Sequence, residues 1–200
     1  MVTQSIGTQL NAIALCLLVT ALLGTHSLLL GCQDNTNANS NDSTAPAKAK
    51  LVEGEKVTIA IGDMRTTYRT AKIAVGKKHF QMKLAITTET RIRGLGKMTE
   101  KQIGQGMLFA FPNAQIRSFV MRDCPKPIDI VFVNPDGLIT AIHKMQPEKE
   151  NTEEYNLKSY SSKWVSVIAL EFIGGTLDTL DLKVGQKLNL PLDDLKRIAK

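Results

Sequence analysis

The chain has 200 residues, with 25 Lys and Arg against 19 Asp and Glu, a net charge of +6, and three cysteines. Its N-terminal quarter does not read as core, which leaves a folded unit of about 150 residues, long enough to bury a sizeable interior. So few cysteines exclude a disulfide-built scaffold, and the modest basic excess suits a solubilising surface or contact with anionic lipid headgroups and acidic envelope polymers.

Met1 to Cys32 contains no Asp, Glu, Lys or Arg. Within it, AIALCLLVTALL from Ala12 to Leu23 has the length of a signal-peptide apolar region. The segment Leu29-Leu30-Gly31-Cys32 then resembles a lipobox, in which a small residue precedes the cysteine that receives lipid before cleavage. Residues 1–31 are therefore expected to be a signal peptide. Cys32 is expected to be the mature N-terminus, carrying palmitate-type acyl chains that hold the protein to a membrane of the cell envelope, with its domain outside the cytoplasm. Two features depart from the usual pattern: no Lys or Arg precedes the apolar run, and Leu30 is bulky. A retained transmembrane anchor is the alternative, because Ala12 to Leu30 approaches bilayer-spanning length.

After Cys32 comes QDNTNANSNDSTAPAKAK, which has no large apolar side chain to offset chain entropy. Residues 32–50 thus read as a lipidated cysteine and a flexible tether with a reach of about 20 to 25 Å. Cys16 would leave with the signal, so Cys124 stands alone in the domain. A packed, inert thiol is the favoured reading, since Asp123 opposes the help that Arg122 would give a thiolate.

Residues 51–200 read as one mainly β domain. Val57, Ile59 and Ile61 alternate with polar or small residues, and Phe80, Met82, Leu84 and Ile86 do so more cleanly. Gly62-Asp63 and Gly76-Lys77 supply turns. Thr88 to Gly96 predicts a short helix, with Thr87 or Thr88 as N-cap and Gly94 or Gly96 near its end. GMLFAF (106–111), IRSFVM (116–121) and IDIVFVN (128–134) follow as strands. The last joins LITAIHKM through Pro135-Asp136-Gly137 as a hairpin. Pro147 to Lys158 predicts an exposed loop, VSVIALEF (165–172) a strand ended by Gly174-Gly175, and GQKLNL (185–190) a final strand. PLDDLKRIAK suits a short helix begun at Pro191 or a frayed tail. The expected architecture is a compact antiparallel β-sandwich or barrel with one or two short helices.

The succession TRIRGL (90–95), GMLFAF, FVMRDCPKPIDIVFVNPDG (119–137), ALEF (169–172) and VGQKL (184–188) resembles domain-of-unknown-function family 192 over roughly Val75 to Leu190. This resemblance implies a compact, mainly β fold in secreted or membrane-attached prokaryotic proteins, and implies no reaction. Two blocks depart. Gly94-Leu95-Gly96-Lys97-Met98 lacks the Met and Arg that follow Gly-Leu in the family, and Phe119-Val120-Met121-Arg122-Asp123-Cys124 stands where the family has Phe-Trp-Met-Lys-Asn-Thr. A ligand that stacked on that tryptophan would bind weakly here.

No Gly-rich phosphate loop, metal-spaced His or Cys set or nucleophile elbow occurs, so no cofactor, metal or nucleic-acid partner is expected. His79 and His143 fall in or beside strands and read as ordinary strand residues. The polar candidates are Arg91, Arg93, Arg122, Asp123, Asp129 and Glu171, with Met121 beside them, because they interrupt apolar sequence where charge needs a partner. Asp129, inside PIDIVFV, is the sharpest, and a buried pair with Arg91 or Arg93 is its expected resolution, with Arg122 the alternative. Two functions follow. One is a noncatalytic binding or accessory module in the envelope, with an envelope polymer or protein as a possible partner. The other is an envelope hydrolase using carboxylates such as Asp123, Asp129 and Glu171.

Overall fold

The alternation of Val57, Ile59 and Ile61 continues across a tight turn. Strand β1 (Val52–Ile61) pairs antiparallel with β2 (Met64–Val75), and β2 returns to β3 (Lys78–Ala85). The computed structural model describes residues 47–200, so the signal segment, Cys32 and residues 33–46 of the tether lie outside the described residues. The Thr- and Arg-rich sequence hides β2, which is buried on both sides of the sheet: Thr66, Tyr68 and Thr70 point to one face, and Ala71, Ile73 and Val75 to the other.

Thr87 caps helix α1 (Thr88–Arg93) by accepting the Thr90 N–H, and Gly94, at φ 53°, ends it as the pattern predicts. A second single-turn helix, α2 (Glu100–Ile103), is capped in the same way by Thr99. This helical crossover returns the chain to the same side, so β4 (Met107–Phe119) runs parallel to β3. β5 (Ile128–Val133) and β6 (Ile139–Met145) form the expected hairpin. β7 (Tyr160–Ile173) lies between β4 and β5, antiparallel to both. The chain closes with α3 (Leu192–Ile198), begun at Pro191.

The strands form one seven-stranded sheet in the order β1-β2-β3-β4-β7-β5-β6. The fold is mainly β with short helices, as patterning predicts. The strands, however, share a single open mixed sheet where their spacing pointed to an antiparallel sandwich or barrel. The parallel β3–β4 pair comes from the helical crossover, whose second helix has too few residues to show a period. GMLFAF and IRSFVM are two ends of one bent strand, with irregular register between Ala110 and Gln115 and between Ile116 and Ser118. Pro112 lies between them, at an irregularity where its missing N–H is tolerated. GQKLNL forms only an isolated bridge between Leu138 and Lys187.

Period-two alternation gives the sheet two apolar faces. Leu108, Ala110, Val131, Val133 and Leu170 point to one, which Leu177, Leu180, Leu188, Leu190 and Leu195 of the C-terminal segment cover. Met107, Phe109, Ile130, Phe132 and Ala169 point to the other, beneath Leu95, Met98 and Ile103 of the crossover. Opposite faces are thus sealed by segments far apart in sequence. At about 1.5 to 3 kcal/mol per large side chain, these two layers supply the main stabilising term. Among the described residues no helix is long and apolar enough to cross a membrane.

Candidate functional site

Where β4 passes Phe111 it leaves the core, and residues Pro112 to Gln115 are exposed. Between this outer half of β4 and the α1 segment lies a groove of about 970 Å³, within the range of small-molecule sites. Phe109, Leu95 and Gly94 line it from the core, and Arg91, Arg93 and Arg117 contribute guanidinium groups. Phe119 packs edge-on against Phe109 at 4.9 Å and Phe132 at 5.4 Å, so the apolar lining continues the crossover-side core.

One end of the groove is pinned by Lys97 and Asp123. Both adopt left-handed backbone, at φ 61° and 55°, and the Lys97 N–H donates to the Asp123 carbonyl at 2.8 Å. Their side chains form a 3.5 Å ion pair that is largely exposed. Arg122, nearby, makes a two-pronged ion pair with Glu154 across the surface. Single exposed pairs of this kind contribute at most about 1 kcal/mol each, so their effect is mainly to orient the rim.

Glu171 is the buried acid of the site. β7 sets it opposite Met107 on β4 and Ile130 on β5, facing the crossover side, and it is 6% exposed. Among the described residues no hydrogen bond or ion pair reaches its carboxyl. Burial pushes it up to about 8, which keeps it largely protonated at neutral pH. Cys124 lines the same region, and burial together with the neighbouring Glu171 and Asp123 charges raises its thiol to about 12. Such a thiol is a poor nucleophile.

Close backbone approach underlies this geometry. Gly106 sits at φ 116°, and a Cβ there would stand 2.2 Å from the Glu171 carbonyl oxygen. Only glycine lets β4 begin this near β7.

The arginines differ in how they are satisfied. Arg91 donates to the Ala110 carbonyl at 3.0 Å, to Thr88 Oγ1 at 3.2 Å and to the main-chain oxygen of Lys200. Arg117 lies 4.0 Å over the Phe111 ring, and its Nη2 donates to Asn113 Oδ1 and the Asn113 carbonyl, both at 2.6 Å. Arg93 Nη2 meets only Met64 Sδ, at 3.4 Å. The Nε of Arg93 and the Nε of Arg117 are buried without a hydrogen-bond partner. Tyr68 Oη, buried and unpartnered, feels the Arg93 charge, although burial dominates and raises the phenol to about 12.

The structure therefore brings Arg91, Arg93, Arg122, Asp123 and Glu171 to one groove and sets Met121 in the core. Asp129 stands apart. Its strand position points it to the opposite face, where its carboxylate accepts the Leu177 N–H at 2.8 Å. The expected pair with Arg91 or Arg93 does not form, and Arg122 is engaged by Glu154. A one-residue step along β5 reverses the face, which the continuous apolar run IDIVFV conceals. Sequence reasoning also missed Arg117, Phe111 and Phe119, because the bend that carries them to the groove has no periodic signature. Val120, where the resemblance calls for tryptophan, lines the groove. His79 and His143 sit on strands separated by three others, and His143 Nε2–H donates to the Ser161 carbonyl at 2.8 Å. Among the described residues no group of three or more His, Cys, Asp or Glu is placed to hold a metal.

A protein of unknown function from Novosphingobium aromaticivorans DSM 12444 has a similar fold, with a TM-score of 0.54 and 23% identity, covering 67% of this chain and 91% of that one. A putative transcription regulator from Sinorhizobium meliloti 1021 aligns at a TM-score of 0.49 and 24% identity, covering 58% of this chain and 88% of that one. No curated protein matches. The DUF192 family, described as "Uncharacterized ACR", matches residues 71–190, a span that holds most of both cores and most of the groove, and the chain belongs to that family.

Proposed function

We propose that this chain is a membrane-tethered envelope lipoprotein whose domain binds a small ligand without transforming it. The observation that carries the binding reading is the groove itself: about 970 Å³, apolar along Phe109 and Leu95, with polar groups converging on it. The chemistry around it favours binding over turnover. The Cys124 thiol is held protonated, and Asp123 is tied to Lys97. A hydrolase reading needs converging carboxylates, and Asp129, the third candidate, faces the other side of the sheet from Glu171. The tether rests on the uncharged apolar run ending in Leu-Leu-Gly-Cys and the polar segment after it.

Native mass spectrometry of the protein released from its own membranes tests both halves. A small-molecule adduct is expected on the unaltered chain and lost in Val120→Trp, which fills the groove. An adduct equally retained in that variant would remove the groove from consideration, and release of a chemically altered product would favour the hydrolase. For the tether, a peptide beginning at Cys32 should carry acyl mass. Recovery of an unmodified peptide spanning Leu30 to Asp34 would overturn it.

A further inference from the structure

Resting on the groove as a binding site, we propose that it selects an amphipathic organic anion: a carboxylate or phosphate head drawn by Arg93 and Arg117, with an apolar body along Phe109, Phe111 and Phe119. Five cationic side chains line the groove, Arg91, Arg93, Lys97, Arg117 and Arg122, against the acids Glu89, Asp123 and Glu171. Two of these cations are already compensated, Lys97 by Asp123 and Arg122 by Glu154. Glu171, buried and largely neutral at pH 7, offers no counter-charge. Among the described residues, no carboxylate lies within ion-pair distance of Arg93 or Arg117.

The hydrogen bonds point the same way. Asn113 satisfies the Nη2 of Arg117 with neutral oxygens, which leaves the charge uncancelled, and the buried Nε has no acceptor. Arg93 is barer still, with a sulfur contact at Nη2 and an unpartnered buried Nε. Buried donors left without acceptors are costly, and guanidinium groups match the planar or trigonal oxygens of carboxylate and phosphate. The like charge of Arg91 lowers Arg117 further, beyond the effect of burial, so an arriving anion relieves repulsion as well as filling donors. The body of the ligand must be apolar because the lining between these arginines and Glu171 is aromatic. Glu171 and Phe111, which both line the groove, are four residues apart along the sheet, or about 13 Å at the usual rise, which accommodates a chain of about eight carbons.

The test uses the full chain in phosphatidylcholine nanodiscs, titrated calorimetrically with octanoate, octyl phosphate, octanol and octylammonium, with empty nanodiscs as reference. Octanoate and octyl phosphate should bind at least tenfold more tightly than octanol or octylammonium. Arg93→Gln and Arg117→Gln should each weaken the anions tenfold or more without affecting octanol, and Arg93→Lys and Arg117→Lys, which keep charge and should fold alike, should recover part of the loss. Repeating the titration in phosphatidylglycerol nanodiscs separates two sources of the same chemistry. Weaker octanoate binding there means that a bilayer headgroup is the occupant, and unchanged binding means a free amphiphile. Equal binding of all four probes would overturn the anion selectivity and spare the groove, whereas binding of none would overturn both.

Discussion

The Asp129 carboxylate, 1% exposed on β5, receives the Leu177 N–H at 2.8 Å and so ties the sheet to the first turn of the 3₁₀ segment Leu177–Thr179. Leu177 in turn covers the C-terminal face of the sheet. The charge that interrupts IDIVFV is therefore a staple between two parts of the core, with Lys144 opposite it on β6.

Removing this acceptor strands a buried N–H. Asp129→Ala should lower stability by about 1 to 3 kcal/mol, read as a fall in the urea midpoint. In a double-mutant cycle with Arg91→Ala, the two effects should add within about 0.5 kcal/mol, because no contact joins them. A coupling above about 1 kcal/mol would restore the arginine pairing that the sequence alone suggested.

Glu171 should make stability depend on pH in an unusual direction. Its carboxyl is raised from 4.5 to about 8 by burial, so the folded state holds the proton after the unfolded chain has lost it. Stability from this group is full below about pH 4.5 and declines as the pH rises towards 8, by something on the order of 5 kcal/mol in total. Glu171→Gln should flatten that decline and melt higher than the unaltered protein at pH 8.5, with little difference at pH 5.

The thiol of Cys124 should resist alkylation. With its ionisation pushed up to about 12, the thiolate fraction at pH 8 is small. Mass-spectrometric mapping of the Cys124 peptide after iodoacetamide treatment should show labelling about a hundredfold or more slower than in the urea-unfolded chain. Rapid labelling of the folded protein would mark Cys124 as reactive.

Gly106→Ala should be among the more damaging single substitutions, because both the backbone angle and the space forbid it. With φ at 116° and the Glu171 carbonyl oxygen 2.2 Å from the added carbon, the start of β4 must move away from β7. A loss of about 2 kcal/mol or more is expected in chemical denaturation, against about 1 kcal/mol for Gly62→Ala, which shares the left-handed strain at φ 56° but has nothing within 4 Å of a Cβ.

What local sequence determined is what local forces decide. Alternating Phe80, Met82 and Leu84 specified a strand, though Lys83 and Ala85 on its other face are buried too; Thr87 and Gly94 bounded α1, and Pro135-Asp136-Gly137 joined β5 to β6, each by chemistry within a few residues. The ordered blocks from Thr90 to Leu188 marked the family. Tertiary structure decided the rest. Whether β3 and β4 run parallel depends on a crossover whose helices are too short to show a period, and the face Asp129 takes depends on a register that an unbroken apolar run leaves open. The groove exists because β4 bends after Phe111 and carries Arg117 towards α1. That bend is set by pairing with β7, some fifty residues away, and no window of sequence contains both partners.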